Sequence, residues 1–361
     1  MSLATTSDRL GTDMKLAFIG DIHAKGSDLE RTAGALQQAV EDVSRSSLFC
    51  DEIIIAGDVF DRFNVADREA SVGSVYRAVI DAVSFRKPIS IVGNHDLAGA
   101  GQKDALEPLS EIIEVKRQME IKIITDPFGD KIALLFIPWG CDPSISPADD
   151  TDFQNWHNAN RRAIVAHCDI DGALTNTDRM MVGGSFSLDK DWLRSMNADV
   201  VALGHIHKRQ DLGLGKVFGG YLGSLVQCNF GEGFCAIPGK EREHQPQGFL
   251  VWDTESNTIE WRDVQAARFW TVPTEWYADF HAQIPEGDRV KVKGTTRPLI
   301  LPAGVCYEPI IEAVVRESRT TGIEADESPE SLLQHWHGAT QCKVDLAKLQ
   351  EGLKKILGQI Q

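Results

Sequence analysis

Positive charge is scarce in this chain. Lys and Arg number 37 against 53 Asp and Glu, which leaves a formal net charge of −16 over 361 residues. Phosphate affinity comes largely from Lys and Arg, so this balance argues against a stand-alone nucleic-acid binder. It does not exclude a metal site, since clustered Asp residues raise the acidic count. Nor does it exclude a nucleic-acid enzyme whose basic surface is local or supplied by a partner. Long apolar runs are also lacking. The longest, Ile132 to Trp139, is far too short to cross a bilayer, so no membrane attachment is expected. The first residues, Met1 to Lys15, have no apolar signal core, and neither a secretory nor an organelle signal is expected. The seven Cys form no C-x-x-C pair, which argues against a zinc ribbon or a disulfide framework and fits reduced thiols in a cytosol. Cys168 reads as a small buried apolar residue. There are no internal repeats and no low-complexity tract. With 42% apolar and 25% charged residues, the composition is that of an ordinary globular protein.

What is present is a series of short apolar runs that end in metal-binding side chains. Lys15 to Gly20 predicts a strand, followed by Asp21-Ile22-His23. Asp28 to Val43 carries apolar residues at three-and-four spacing and predicts a helix, with Ser27 as its cap. Ile53 to Ala56 predicts a second strand, ending in Gly57-Asp58-Val59-Phe60-Asp61-Arg62. Ser71 to Phe85 is helical by the same period. Ile89-Ser-Ile-Val92 is a third strand, and Gly93-Asn94-His95-Asp96 closes it. Asn94 and His95 read as a metal ligand and a catalytic imidazole. Right-handed crossovers would set these strands parallel with their carboxyl ends on one edge, where α/β sheets bind ligands. From the residues alone, the expectation is an α/β protein with a doubly wound parallel sheet.

Further along, Ile121 to Ile124 and Ile132 to Ile137 predict strands, with a polar loop from Cys141 to Trp156. Ala163 to Ala166 predicts a strand ending in His167. Met180 to Phe186 reads as a loop and Asp189 to Met196 as a short helix. Asp199 to Leu203 is a strand ending in Gly204-His205-Ile206-His207. Val217 to Val226, Gly248 to Asp253 and Thr258 to Asp263 predict later strands, the last two as a hairpin about Ser256-Asn257. After residue 266 the character changes. Trp270, Pro273, Trp276 and Tyr277 fall in irregular sequence, and Asp288 to Gly294 alternates with Val290 and Val292 inward. The expected organisation is a main domain over 1–265, a smaller domain over 266–320 and a helical segment over 321–361. In that segment Leu346, Leu349, Leu353 and Ile356 recur on one stripe.

The candidate ligands are Asp21, His23, Asp58, Asn94, His167, His205 and His207, all at strand ends. Residues two apart on an extended segment point the same way, so Asp-x-His and His-x-His can each serve one pair of ions. A carboxylate such as Asp58 can bridge two cations, and Asn94 can give an amide oxygen. Imidazole with oxygen donors and no thiolate suits Mn, Fe or Zn better than Ca. Two such ions can clamp both oxygens of an in-line displacement.

Asp-x-His, Gly-Asp-x-x-Asp-Arg, Gly-Asn-His-Asp, a lone His and Gly-His-x-His, spanning residues 21 to 207, together resemble the calcineurin-like metallophosphoesterase superfamily. The resemblance implies a two-layer β-sandwich flanked by helices, in place of the doubly wound sheet. It places Asp21, His23 and His207 on one metal and Asn94, His167 and His205 on the other, with Asp58 bridging. His95 would protonate the leaving oxygen or steady the phosphate, Asp61 would orient His95 through its carboxylate, and Asp96 would make a structural hydrogen bond. Asp61-Arg62 also resembles protein phosphatases, in which the Arg contacts phosphate.

Three later stretches resemble SbcD-type exonuclease subunits: Gly204-His-Ile-His-Lys-Arg-Gln210, Gly219-Gly-Tyr-Leu-Gly-Ser-Leu-Val-Gln-Cys-Asn-Phe-Gly-Glu232 and Gly248-Phe-Leu-Val-Trp-Asp253. Arg289 to Thr295 resembles the start of that family's capping domain. The resemblance implies a Mn2+-dependent DNA nuclease of the cytoplasm of a bacterial or phage-infected cell. It also implies a homodimer and an SMC-like ATPase of the SbcC type as partner, with the terminal helix a candidate docking site. Arg62, Lys208, Arg209, Lys291, Lys293 and Arg297 are the candidate phosphate contacts. Two other readings share the metal set: a small-substrate phosphodiesterase or phosphatase, and a non-catalytic subunit that recruits an ATPase to DNA ends.

Overall fold

The structure, a computed structural model, describes residues 14–44, 49–63, 71–78, 87–98, 103–142, 150–176, 178–294, 304–309 and 348–349. The chain divides into a large compact unit, Met1–Lys293 with Pro298–Tyr307, and a small one, Gly294–Arg297 with Glu308–Gln361. The expected acidic linker, the helix from Ser331, most of the helix from Val344, and Arg297 lie outside the described residues. Among the described residues no helix is long and apolar enough to cross a membrane.

Two six-stranded sheets make the body of the large unit. The first runs β13 (Thr258–Asp263), β12 (Gly248–Asp253), β1 (Lys15–Ile19), β2 (Glu52–Ile55), β3 (Ile89–Ile91) and β4 (Glu114–Lys116). β1 to β4 are parallel, and β12 and β13 are antiparallel additions on one side. The second runs β5 (Glu120–Thr125), β6 (Lys131–Ile137), β7 (Arg161–His167), β8 (Val200–Gly204), β10 (Phe218–Tyr221) and β9 (Gln210–Asp211). Its four inner strands are parallel and its two edges antiparallel.

Side-chain alternation shows how the sheets pack. Leu16 and Phe18 of β1, Ile54 of β2 and Ile89 and Ile91 of β3 share one buried cluster with Leu134, Phe136, Val165 and Ala202 of the second sheet. The residues between them face the other way. Ala17, Ile19, Ile53 and Ile55 pack on Leu36, Ala39, Val40 and Val43 of helix α1 (Leu29–Ser44). Leu135, Ile137, Ile164 and Val201 pack with Trp156 of α2 (Asp150–Asn158) and Leu193 of α3 (Lys190–Ser195). The two sheets are therefore stacked face to face with helices outside, the layered α/β sandwich implied by the resemblance. The doubly wound single sheet is corrected. A strand buried on both faces is apolar throughout whether helices or a second sheet cover it, so its composition does not tell the two apart. The expected polar loop from Cys141 is interrupted by α2, and the strand expected to reach Val226 stops at Tyr221.

A third sheet runs β11 (Phe234–Cys235), β14 (Phe269–Pro273), β15 (Arg289–Gly294) and β16 (Val305–Pro309). Its first strand thus precedes residue 265. The aromatic stretch expected to be irregular is ordered: Trp270 lies in β14, and Trp276 and Tyr277 lie in α4 (Thr274–Phe280). Trp270 and Trp276 pack round Phe234, with ring centroids 5.1 and 5.8 Å away. Val290 and Val292 are buried as the alternation predicts.

Candidate metal centre

The carboxyl ends of β1, β2 and β3 in one sheet meet those of β7 and β8 in the other. Two hydrogen bonds fix this meeting across the sheets. The carboxylate of Asp21 accepts the His205 backbone N–H at 2.9 and 3.2 Å. His167 Nδ1–H donates to the Ala56 carbonyl at 2.8 Å. The turns are strained where the ligands stand. His23 and Asp58 have φ of 49° and His205 has φ of 96°, and non-glycine residues enter that region at a cost that a surrounding scaffold must hold in place. The glycines have a matching reason. A Cβ on Gly93 would lie 2.1 Å from Asp58 Oδ1, so only glycine lets the second and third strand ends approach this closely.

All seven candidate ligands are brought together, and His167, His205 and His207 each direct one ring nitrogen to a partner outside the set. With Nδ1–H given to Ala56, His167 turns Nε2 toward Asn94 Oδ1 at 2.9 Å and Asp58 Oδ2 at 3.3 Å. His205 Nε2–H donates to Asp169 Oδ1 at 2.9 Å, which leaves Nδ1 facing the same Asn94 oxygen at 2.9 Å. Two ring nitrogens and two oxygens thus converge with no proton between them when both rings are neutral. Such a set fits a cation. Beside it, His207 Nδ1–H donates to Glu232 Oε1 at 2.8 Å, and its Nε2 faces His23 Nε2 at 2.8 Å. Asp58 Oδ2 lies 3.6 Å and Asp21 Oδ1 4.0 Å from that His23 nitrogen. Asp58 Oδ2 therefore borders both groups.

The electrostatics divide the four imidazoles: burial alone would lower His207, but Cys228 and Glu232 raise it well above its ordinary value. Burial lowers the His23 imidazole well below its ordinary pKa, and His207 lowers it further. Burial and His167 lower His205 in the same direction. Both rings are thus held neutral, as ligation requires. Burial alone would raise Asp58 and lower His167, but their pairing wins: Asp58 is held well below the carboxylate range and His167 is raised to about 9. The pocket draws positive charge to the place that His167 Nε2 faces, and a divalent cation meets the same demand. Burial keeps the Asp21 carboxyl above its ordinary value.

His95 stands at the exposed edge of the centre, with a ring nitrogen within 4.8 Å of ligand atoms of His23 and Asp58. Its side chain is exposed, its ring edge lies on His23 with centroids 4.8 Å apart, and its backbone N–H donates to Asp58 Oδ1 at 2.9 Å. Its Nδ1–H donates at 2.5 Å to the main-chain carbonyl of Asp61. The Asp61 carboxylate instead faces Lys25 at 3.7 Å, His23 Nδ1 at 3.8 Å and Arg62 at 3.4 Å. Asp96 is fully buried and accepts backbone N–H groups of Phe60 and Gly93, each at 3.0 Å, the structural role expected of it. Burial and the neighbouring Asp58 raise its carboxyl to about 7.

The candidate phosphate contacts are mostly engaged. Lys208 pairs with Asp178, and the Arg209 guanidinium stacks 3.9 Å over the Trp261 ring. Lys291 lies 4.5 Å over Phe230. Arg62 is the most exposed of those among the described residues, with 68% of its side chain open to solvent.

Three residues of the centre escaped the sequence reading. Asp169 and Glu232, 3% and 0% exposed, hold the rings of His205 and His207. Trp139 stacks on His205 with centroids 4.8 Å apart. The available signals were Asp169 two residues beyond His167, on the same extended segment, and Trp139 at the close of an apolar strand. Carboxylates that orient ligating imidazoles are typically worth 10–100-fold in metal affinity. Glu232→Gln is accordingly expected to weaken metal binding at His207 by about 10–100-fold, measured by competition with a chromogenic chelator.

The sequence profile of calcineurin-like phosphoesterases matches residues 14–209. No curated protein matches the chain. Among solved structures, one described as "GAP50 the anchor in the inner membrane complex of Plasmodium" is similar, with 14% identity and a TM-score of 0.36, over 81% of this chain and 100% of that chain.

Proposed function

This chain belongs to the calcineurin-like phosphoesterase family, and from that premise we propose that it is a dinuclear-metal nuclease that hydrolyses the phosphodiester bonds of DNA. One observation carries the chemistry: seven donor side chains from two sheets converge, Asp58 among them, with ring protons of His167, His205 and His207 directed outward to Ala56, Asp169 and Glu232. Asp21, His23 and His207 would hold one divalent cation and Asn94, His167 and His205 the other, with Asp58 shared. When bound, such cations supply positive charge to the phosphoryl oxygens and acidify a water. Mn2+ suits the nitrogen and oxygen donors.

The chain's own groups then divide the work. His95, fixed through Nδ1 by the Asp61 carbonyl, presents Nε2 to the leaving oxygen and gives it a proton. Asp169 and Glu232 keep the two imidazoles in register. Trp139 covers one face of His205 and keeps water from it. Arg62 is free enough of its neighbours to meet a phosphate. The DNA reading is supported by the resemblance of the stretches after residue 204 to SbcD-type subunits. On that reading the third sheet begins a capping domain, an SMC-like ATPase supplies much of the DNA affinity, and the active form is a homodimer.

One observation favours a second reading, a small-ester phosphodiesterase: Lys208 and Arg209, the basic residues next to His207, are held by Asp178 and Trp261. The deciding experiment compares Mn2+-supported degradation of end-labelled linear duplex DNA with hydrolysis of a bis-aryl phosphodiester. DNA degradation is expected. Turnover of the aryl ester with intact DNA, even with an SbcC-type ATPase present, would establish the second reading instead.

A further inference from the structure

A thiol stands at the same centre. Cys228, His23 and His207 offer ligand atoms that all lie within 4.8 Å of one another. The three come from separate parts of the chain: His23 follows β1, His207 follows β8, and Cys228 lies beyond β10. One buried carboxylate places two of them. Glu232 Oε1 accepts from His207 Nδ1 at 2.8 Å, and Oε2 accepts the Cys228 backbone N–H at 2.7 Å. With the Nδ1 proton of His207 directed to Glu232, its Nε2 faces His23 Nε2 at 2.8 Å. Two imidazole nitrogens facing each other share either a proton or a cation. Ligands bound at about 2.0–2.1 Å for nitrogen and about 2.3 Å for sulfur end up at most about 4.4 Å apart. A cluster within 4.8 Å closes on one ion with a small side-chain movement.

We propose that the Cys228 thiolate is a ligand of the cation held by Asp21, His23 and His207. The inference rests on the metal-centre reading above and adds a donor to it. On binding, Sγ loses its proton to solvent and gives up its weak hydrogen bond to the Val226 carbonyl at 3.4 Å. No electron is transferred. The consequence is an unequal pair of metal positions. Thiolate is a soft donor that favours Zn2+ or Co2+ over Mn2+, while the Asn94, His167 and His205 position has no sulfur and keeps the preference of its nitrogen and oxygen donors.

The test uses the full chain, stripped with a chelator and loaded with Co2+. Wild type is expected to show a near-ultraviolet thiolate-to-cobalt charge-transfer band. Cys228→Ser should lose the band and keep the visible cobalt absorption, and Cys168→Ser should keep both. The preference of the tighter site for Zn2+ over Mn2+ should fall at least about tenfold in Cys228→Ser. Should that variant fail to fold, X-ray absorption of zinc-loaded wild type decides. A sulfur shell at about 2.3 Å supports the proposal, and a shell of nitrogen and oxygen alone overturns it. Cobalt uptake without the band, or a band that survives Cys228→Ser, also overturns it and leaves the metal centre standing. Absence of cobalt uptake by wild type overturns both.

Discussion

Alanine at position 95 is expected to lower phosphodiester turnover by about 10²–10⁴-fold while both metals stay bound, which is the range for loss of a positioned general acid. The geometry separates these two effects. The His95 ring lies in the exposed part of the site, and the tie to Asp58 is made by its backbone N–H, which alanine retains. The bridging carboxylate therefore keeps its donor when the imidazole is removed. Turnover should fall in kcat with little change in KM, because the proton is needed only as the leaving oxygen departs. Asp61 makes the sharper control. Its carbonyl, not its carboxylate, accepts from His95 Nδ1. Asp61→Ala keeps that carbonyl, so its loss of kcat should be far smaller than that of His95→Ala. Equal losses would mean that the carboxylate takes part. Steady-state kinetics alongside metal analysis by inductively coupled plasma mass spectrometry reads all of these outcomes.

Asp58→Ala should have the other large effect, and it should act through the metals. Asp58 is 1% exposed, and its Oδ2 lies 3.3 Å from His167 Nε2 and 3.6 Å from His23 Nε2. Both positions lose an oxygen donor and a negative charge in one step. Retained metal should drop from two per chain toward none, and affinity should fall by at least about 100-fold, the upper end for loss of even an indirect contact. Turnover should reach background. Asp58→Asn keeps an oxygen without its charge and should fall between the two. The contrast with His95→Ala is diagnostic, since one variant loses chemistry with its metals and the other loses the metals themselves. If Asp58→Ala retains both ions after desalting, Asp58 is not the shared ligand.

The convergence of the candidate ligands was legible because each follows an apolar run, and a parallel strand must deliver its next residues to the sheet's carboxyl edge. The layering was not legible from the runs themselves. Lys131 to Ile137 is apolar at nearly every position because Leu134 and Phe136 face the other sheet while Leu135 and Ile137 face helices. Two such faces leave no alternation to read. β4 was missed for the opposite reason: Glu114-Val-Lys116 is an edge strand whose charges pair with Glu120 and Lys122 on the neighbouring β5. The aromatic stretch from Trp270 looked irregular because its rings form a cluster across β11, β14 and α4 instead of repeating along one element. Asp169 and Glu232 were invisible because an acidic residue beyond a strand is ordinarily solvated. Only the fold shows that these two are buried against imidazoles. Asp61 was identified as a partner of His95 with the wrong atom in view, since sequence carries no information on which oxygen of a residue is used.

On the proposed reading, one centre built from both sheets holds two cations through a shared Asp58. Anomalous diffraction from crystals grown with Mn2+ tests this most directly. Two peaks are expected, one bordered by Asp21, His23 and His207 and the other by Asn94, His167 and His205, with Asp58 contacting both. A single peak, or two peaks with Asp58 bonded to one alone, would contradict it.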